Sequence, residues 1–229
     1  MILITKNKEP KEWTEYRNTP GVDYQAIPEL VQSLLKEQGY ICAYCMRRIP
    51  VRDRLYKKDG NNYVLTDEDH RVEHIKSREL HDDLKLEYTN MVVCCPGHIG
   101  TEDHCDRLKD SNDISFTPLD QQFIKTIKYR SDGTILSTNE QYDREINEIL
   151  NLNTELLKKN RKTMLTEVIT RINVDCKRGK RWDKNTLERY LSKYSEKHSE
   201  KDGEDVKEKY YSYCGIITWF LQKKLRALG

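Results

Sequence analysis

Residues 41–49 have the sequence ICAYCMRRI, in which Cys42 and Cys45 form a CxxC pair in a turn context. A second group of cysteines follows much later: Cys94 and Cys95 end the apolar run MVVCC, and Cys105 comes ten residues after Cys95. Two cysteine pairs on separate segments can bind one tetrahedral zinc ion, and four thiolates leave no position open for catalysis. We therefore expect a structural zinc site whose ligands are Cys42, Cys45, Cys95 and Cys105.

Two alternatives remain open at this site. Cys94 competes with Cys95, although neighbouring side chains on a strand point to opposite faces, so only one of them should bind the ion. His104 is a rival zinc ligand in place of Cys95 or Cys105, and it is also a rival third ligand beside Glu73 and Asp106. The two other cysteines, Cys176 and Cys214, lie in helical surroundings and are expected to be buried thiols.

The composition excludes several classes of protein. The 229 residues are 34% charged and only 36% hydrophobic, with a mean hydropathy of −0.88. No apolar run is long enough to span a membrane, and the first residues lack the apolar core of a signal peptide. We therefore expect a cytoplasmic protein without a membrane partner. In a reducing compartment, the seven cysteines are metal ligands or buried thiols rather than disulfides.

Positive charge is concentrated in the second half of the chain. Residues 1–120 carry 17 basic and 22 acidic side chains, whereas residues 121–229 carry 23 and 16. The densest run, 158–181, has nine cations and two anions. Such a run can bind a phosphate backbone, and a solvated helix face is an equally good interpretation. The residues of this run expected to contact nucleic acid are Lys177, Arg178, Lys180 and Arg181.

The pattern along the chain predicts an α+β protein in three segments. Residues 1–40 contain a helix from about Pro28 to Gln38, because apolar residues recur there at helical spacing. Residues 41–118 are rich in cysteine and histidine, and 51–69 should form a loop or hairpin. Residues 119–229 are mainly helical, with an exposed charged loop at 196–209 and an apolar helix at the end.

A second group of functional side chains lies between and after the cysteines. Glu73 directly precedes His74 on a strand-like segment, Asn90 follows sixteen residues after His74, and Asp106 follows Cys105. Phosphodiester hydrolysis needs a base to deprotonate water and a cation to stabilise negative charge. His74 can accept a proton near neutral pH. The carboxylates of Glu73 and Asp106 form a hard oxygen site suited to Mg²⁺ or Mn²⁺.

Two basic side chains within one turn after Asp106 are expected to contact the substrate phosphate. They are Arg107 and Lys109. The plainer interpretation is that Glu73 and His74 lie on the surface of an ordinary hairpin. Asp106 would then only be an anion that favours the dipole of a helix N-terminus. The remaining histidines, His70, His81, His98 and His198, are expected at the surface.

The order CxxC, Glu-His, Asn, strand with cysteine, Cys-Asp-x-x-Lys resembles the His-Asn-His (HNH) endonucleases. The resemblance implies a ββα-metal core held together by a zinc knuckle. It implies that His74 is the general base, that Glu73 binds the catalytic metal and that Asn90 orients the histidine. Asp106 stands where the family has its final histidine, and the long interval between Cys95 and Cys105 requires residues 96–103 to loop out.

The segments around these motifs point to a narrower group. ICAYCMRRI, VEHIKSRE, YTNMVVCCPG, HCDRLKD and DREINEILNLNTELLKKNR, within residues 1–165, resemble the PtuB-type HNH proteins of Septu and retron defence systems. This implies a bacterial protein that is a toxic effector of antiphage defence, with an ABC-type, PtuA-like ATPase partner. In retrons it also implies a reverse transcriptase with its multicopy single-stranded DNA. The chain has no GxxxxGK[ST] loop, so ATP binding would belong to another subunit.

Two function classes follow from the sequence. The first is a metal-dependent endonuclease that hydrolyses DNA, or RNA such as tRNA. The second is a non-catalytic zinc-knuckle subunit that binds nucleic acid or scaffolds the ATPase. The second class needs only the four cysteines and the basic residues, and it leaves Glu73, His74 and Asp106 without a function.

Overall fold

The computed structural model describes residues 1–50, 56–59, 62–65, 69–99, 102–176, 181–202 and 205–228. Helices and small antiparallel sheets are mixed along the chain, which confirms the predicted α+β class. The helices are α1 (Lys11–Arg17), α2 (Pro28–Glu37), α3 (Asp106–Lys109), α4 (Gln121–Thr126), α5 (Glu140–Glu148), α6 (Glu155–Asp175), α7 (Lys184–Ser195) and α8 (Cys214–Arg226). The strands are β1 (Tyr56–Asp59), β2 (Asn62–Leu65), β3 (Arg71–His74), β4 (Met91–Cys94), β5 (His98–Ile99), β6 (Glu102–Asp103), β7 (Ile127–Tyr129), β8 (Ile135–Ser137), β9 (His198–Asp202) and β10 (Asp205–Lys209).

The central pair of strands, β3 and β4, is antiparallel and places Glu73 opposite Val92 and His74 opposite Met91. All four residues of β4 are buried, which fits its unbroken apolar sequence. Helix α3 follows β4 after the short β5–β6 hairpin. Strand, strand and helix therefore succeed one another around the predicted site residues.

Helix α2 fixes the position of β4. Pro28 occupies its first turn, and its buried apolar face is the one that the i, i+3, i+4 spacing predicts. At its end the buried amide of Gln38 donates to the carbonyls of Ile41 and Val93 and accepts from the Val93 N–H at 2.7 Å. One side chain thereby joins α2, the CxxC turn and β4.

The C-terminal helices pack against the same core as the CxxC turn. The Tyr210 N–H donates to the Gly39 carbonyl, and the Tyr213 N–H donates to the Met46 carbonyl. Gly39 is required here, because a Cβ at this position would lie 2.5 Å from the Tyr210 ring. The buried hydrophobic side chains form one cluster that includes residues from all three predicted segments.

A buried arginine connects α6 to the region before it. The guanidinium of Arg161, 1% exposed, donates to the carbonyls of Gly133 (2.5 Å) and Leu152 (2.6 Å). Two residues before Leu152, the Leu150 carbonyl accepts the N–H of Cys105 at 2.9 Å. The turn that contains Leu150 and Leu152 therefore connects Cys105, the last predicted zinc ligand, to α6.

One predicted loop is wrong, and one hairpin is confirmed in part. Residues 196–209 are largely the hairpin β9–β10, because their charges pair across the strands: Lys209 bonds Glu200 at 2.8 Å. In the segment 51–69, β1 and β2 pair as predicted, and the rest of 51–68 lies outside the described residues. Within the part of the chain that the structure describes, no helix is long and apolar enough to cross a membrane.

Candidate functional site

Four buried cysteines meet at one point, as the spacing predicts. Their sulfur atoms all lie within 4.8 Å of one another; Cys42 Sγ is 3.9 Å from Cys105 Sγ, and Cys45 Sγ is 3.7 Å from Cys95 Sγ. Thiolates bound tetrahedrally to zinc at about 2.3 Å lie about 3.8 Å apart. All four are free thiols and none is more than 1% exposed. The cluster can therefore hold a structural metal such as zinc.

The backbone around the cluster holds the sulfurs in place. In the CxxC turn the Met46 N–H donates to the Cys42 carbonyl, and the Ala43 N–H donates to the Val93 carbonyl of β4. Between Cys95 and Cys105, the Gly97 carbonyl accepts the His104 N–H at 2.8 Å and closes the base of the β5–β6 hairpin. Gly97 has a φ of +73°, and a Cβ there would lie 2.3 Å from the His104 carbonyl oxygen.

Cys95, and not Cys94, belongs to the group of four sulfurs. Cys94 is buried next to the cluster, and its thiol interacts with that of Cys42. His104 lies beside the cluster, with its Nε2 3.7 Å from Cys95 Sγ. The expectation that Cys176 and Cys214 are buried thiols is confirmed.

Beneath the central strands, Glu73 is held in a buried network. Its Oε1 accepts hydrogen bonds from Lys109 Nζ at 2.9 Å and from the Tyr44 hydroxyl at 3.0 Å. Lys109 also donates to the His74 carbonyl at 3.2 Å, and both ends of the ion pair are nearly inaccessible to water. Burial raises the pKa of Glu73 well above its ordinary value, and the adjacent Asp106 carboxylate raises it further. The Lys109 ammonium acts in the opposite direction and lowers the pKa of Glu73.

The position of Lys109 contradicts one prediction. We expected its ammonium to contact a substrate phosphate, but it is 1% exposed and faces Glu73 in the interior. Helix α3, which is four residues long, places the Lys109 side chain under β3 rather than in solvent. Arg107, by contrast, is exposed and is paired with Asp103 at 2.9 Å.

His74 lies at the end of β3 with its imidazole fixed. Its Nε2 is 3.0 Å from the Lys85 carbonyl, and a carbonyl can only accept, so Nε2 carries the hydrogen and Nδ1 has the free lone pair. The Tyr24 ring packs edge-to-face against the imidazole, with the ring centroids 4.5 Å apart. Burial lowers the pKa of His74 to about 4. The side chain is therefore neutral at physiological pH.

Asn90 supports this arrangement without touching the histidine. Its side chain accepts from the Lys76 N–H at 2.8 Å and donates to the carbonyls of Lys76 (3.0 Å) and Leu84 (3.2 Å). Its own carbonyl accepts the N–H of Ile75. Asn90 thus shapes the segment between His74 and Lys85, whose carbonyl holds the imidazole.

A cleft of about 900 Å³ opens over these side chains. His74 lines it together with four cations, Arg71, Arg78, Lys85 and Arg107, and six carboxylates, Asp23, Glu73, Glu79, Asp82, Asp106 and Asp110. Arg71 pairs with Asp106 at 3.4 Å, Lys85 pairs with Asp23 and Asp82, and Arg107 pairs with Asp103. The Arg78 guanidinium lies over the Tyr24 ring at 4.7 Å and is in none of the ion pairs between described residues. The cleft therefore has mixed charge, with the exposed Arg78 beside a neutral histidine.

The carboxylates of the cleft differ from the cysteines in their fit to a metal. Among the described residues only the cysteine cluster brings three or more ligand atoms of His, Cys, Asp or Glu together within 4.8 Å. Glu73 and Asp106 are neighbours, and one Glu73 oxygen is already held by Lys109 and Tyr44. Two carboxylates completed by water and phosphate are a usual Mg²⁺ site, and the pair is compatible with one.

Several residues of the cleft were not identified from the sequence. His70 was expected at the surface but is 1% exposed and lines the cleft. Tyr24 belongs to the segment between α1 and α2, far from the motifs in sequence, so no local pattern marks it. Of the predicted basic contacts, Arg181 is exposed, while Lys177, Arg178 and Lys180 lie outside the described residues.

Comparison with known proteins gave no relative: no family model matches the chain, and no curated protein matches it. The function must therefore be inferred from the residues and their geometry.

Replacing one sulfur of the cluster should remove the metal and destabilise the fold. We expect Cys42→Ser and Cys105→Ser to lose bound zinc and to unfold at lower urea concentration, because a structural metal contributes folding free energy directly. The parent protein should contain about one zinc per chain by elemental analysis. Cys176→Ser, outside the cluster, is the matched control and should keep its metal. A stable, metal-free parent protein would rule out the site.

Removing the buried cation should cost more than removing the whole pair. Lys109→Met leaves Glu73 buried without compensation, and breaking a buried pair typically costs about 3–5 kcal/mol. The double variant Lys109→Met/Glu73→Gln removes both charges and should recover part of that loss. Urea unfolding of the two single variants and the double variant gives the coupling energy. Strictly additive effects would show that the two groups are not coupled.

Proposed function

We propose that the chain is a metal-dependent endonuclease that hydrolyses phosphodiester bonds in its cleft. The observation that carries the proposal is His74: a neutral imidazole with its tautomer set by a backbone carbonyl, lining a cleft that also contains cations and carboxylates. An ordinary surface hairpin would not bury this histidine to 5% exposure or fix its ring nitrogen.

In this mechanism His74 accepts a proton from water at Nδ1. Because its Nε2–H is bonded to the Lys85 carbonyl, the imidazole keeps the orientation in which Nδ1 is the acceptor. A pKa of about 4 leaves the base unprotonated at neutral pH, although it also makes the isolated imidazole a weak base. Charge from a bound phosphate near the ring would favour the imidazolium and offset part of that weakness.

Three arginines of the cleft support binding of a phosphodiester. Arg78 is exposed, is held over the Tyr24 ring and lies close enough to His74 to affect its protonation. Arg107 and Arg71 lie on the side of Asp106. Guanidinium groups bind phosphate oxygens in two-point contacts, so these three residues can orient the bond next to the base.

A divalent ion such as Mg²⁺ or Mn²⁺, held by Asp106 and Glu73, would stabilise negative charge on the phosphate and on the leaving oxygen. Asp106 is the more available ligand, because its side chain is 17% exposed and pairs only weakly with Arg71 at 3.4 Å. Glu73 offers its second oxygen while the first is bonded to Lys109.

The motif order supports the HNH class, and the longer segments support a PtuB-like effector of antiphage defence. In that role the chain would act with an ABC-type ATPase and, in a retron, with a reverse transcriptase and its multicopy DNA. The substrate, DNA or RNA such as tRNA, remains a matter for experiment, since activated water attacks either backbone. We also propose that the protein is cytoplasmic.

A second function is favoured by the buried network. The Glu73–Lys109–Tyr44 contacts explain the presence of Glu73 on structural grounds alone, as expected for a non-catalytic zinc-knuckle subunit. That alternative does not account for the fixed imidazole of His74 in the cleft. Variants of His74 and Asp106 distinguish the two functions.

His74→Ala should abolish cleavage while leaving the fold intact. Loss of a general base typically lowers the rate by about 10²–10⁴. The measurement is the sequencing of new 5′ and 3′ ends in DNA and RNA from cells that produce each variant, together with cell viability. His98→Ala, on the exposed β5–β6 hairpin, is the control and should behave as the parent. If His74→Ala cleaves as well as the parent, the scaffold function takes the place of the nuclease.

Asp106→Ala should give a different loss, which added metal reverses. Removing one ligand should raise the concentration of Mn²⁺ needed for half-maximal cleavage by at least about tenfold, or about 1.4 kcal/mol. Asp106→His supplies another ligand and should keep part of the activity. Metal titrations of both variants test this. A rate that stays low at every metal concentration would assign Asp106 a role other than metal binding.

A further inference from the structure

A second surface outside the cleft combines aromatic rings with exposed cations. We call it the basic aromatic face and define it by Trp182, Trp219, Phe220, Lys223, Lys224 and Arg226. Trp182, just before α7, packs edge-to-face on Phe220 of α8 with ring centroids 5.9 Å apart. Its indole N–H donates to Asn173 in the last turn of α6 at 2.8 Å. None of the six residues lines the cleft.

The charged members of this face, Lys223, Lys224 and Arg226, are all cations, and residues 210–229 contain no acidic residue. The nearest acidic residue in sequence to its rings is Asp183, directly after Trp182. Lys223, Lys224 and Arg226 are exposed, and no ion pair between described residues involves them. Three exposed cations on one helix raise the local positive potential and attract a polyanion.

The cations are interleaved with the rings. Lys224 Nζ lies 5.8 Å from the Trp182 ring centroid and 5.6 Å from that of Phe220, and Lys223 Nζ lies 5.2 Å from Trp219. The three rings are half-buried, so one part packs on the core and another part reaches the surface. Trp182 is fixed by both its hydrogen bond and Phe220. Rigid rings flanked by ammonium groups lose little conformational entropy when a flat ligand stacks on them.

We infer that the basic aromatic face binds single-stranded nucleic acid, with bases stacked on the rings and phosphates paired with Lys223, Lys224 and Arg226. Each nucleotide of a single strand offers a flat base that can stack on a ring and a phosphate that can pair with a cation. In a duplex the faces of the bases are covered by stacking, so only the phosphates could be contacted. An acidic protein segment would pair with the cations but would make no use of ring faces.

Binding can be measured without cleavage. The chain has three tryptophans, and Trp13 is 0% exposed, so quenching by stacked bases reports on Trp182 and Trp219. The His74→Ala protein is titrated with a twelve-nucleotide thymidine oligonucleotide, with the matched duplex and with polyglutamate. We expect saturable quenching by the single strand at a lower concentration than by the duplex, and none by polyglutamate. Because no cleavage is needed, the result does not depend on the proposed nuclease activity.

Two variants separate stacking from charge. Lys223→Gln/Lys224→Gln should weaken binding and reduce the slope of log K against log salt by up to about 1.4, since each phosphate contact on a single strand contributes about 0.7. Lys8→Gln/Lys11→Gln, which removes two exposed charges in and before α1, should change neither. Trp182→Leu should weaken binding about fivefold to 150-fold, the equivalent of one stacked base, with the salt slope unchanged.

The outcomes decide between the ligands. Trp182→Phe keeps a ring and should retain most of the affinity, measured by the anisotropy of a labelled strand; it serves as the test if Trp182→Leu does not fold. If the single strand and the duplex bind with equal affinity, the face is a non-specific electrostatic surface. The same conclusion follows if Trp182→Leu binds the single strand as tightly as the parent does. Saturable binding of polyglutamate with the same quenching would assign it to an acidic protein partner instead.

Discussion

Four cysteine sulfurs lie within 4.8 Å of one another, close enough to bind one metal ion, and the positions of the other candidate site residues follow from this. The sulfurs belong to the CxxC turn, to the residue after β4 and to the residue before α3. Since β4 pairs with β3, the cluster also sets how α3 lies relative to β3. Glu73 and His74 on β3 face Asp106 and Lys109 on α3 across this junction. A structural metal site would thus set the relative positions of the side chains that line the cleft.

The same junction places opposing demands on Glu73. As a buried carboxylate it needs Lys109 and Tyr44 as partners, and as a ligand it would need to present an oxygen to the cleft. The two demands are compatible because a carboxylate has two oxygens, of which the interior partners use one. Asp106, at the first position of α3, carries no such structural duty and can respond to whatever enters the cleft.

Much of this site could be predicted from the sequence, because its geometry is local. The CxxC spacing specifies a turn that presents two sulfurs, and the four cysteines that meet are the predicted ones. The burial of Lys109 could not be predicted, because a helix of only four residues shows no periodicity that distinguishes its inner from its outer face. Tyr24 was missed for another reason: it meets His74 only through tertiary packing of a loop fifty residues away. The hairpin at 198–209 was predicted as an exposed loop, because charges that pair across two strands look like a run of solvated charges along the sequence.

The hydrogen bond between Gly97 and His104 makes the positions of the cysteine sulfurs independent of the length of the β5–β6 hairpin. It closes the excursion between Cys95 and Cys105 at its base, before the chain reaches β5 and after it leaves β6. The sulfur positions are therefore insensitive to how long the excursion beyond that point becomes. Evolution can lengthen, shorten or decorate this hairpin as an independent module, and a protein engineer can use it as an insertion point for a tag or a sensor peptide. The condition is that a glycine remains at 97, where no other residue leaves room for the closing hydrogen bond.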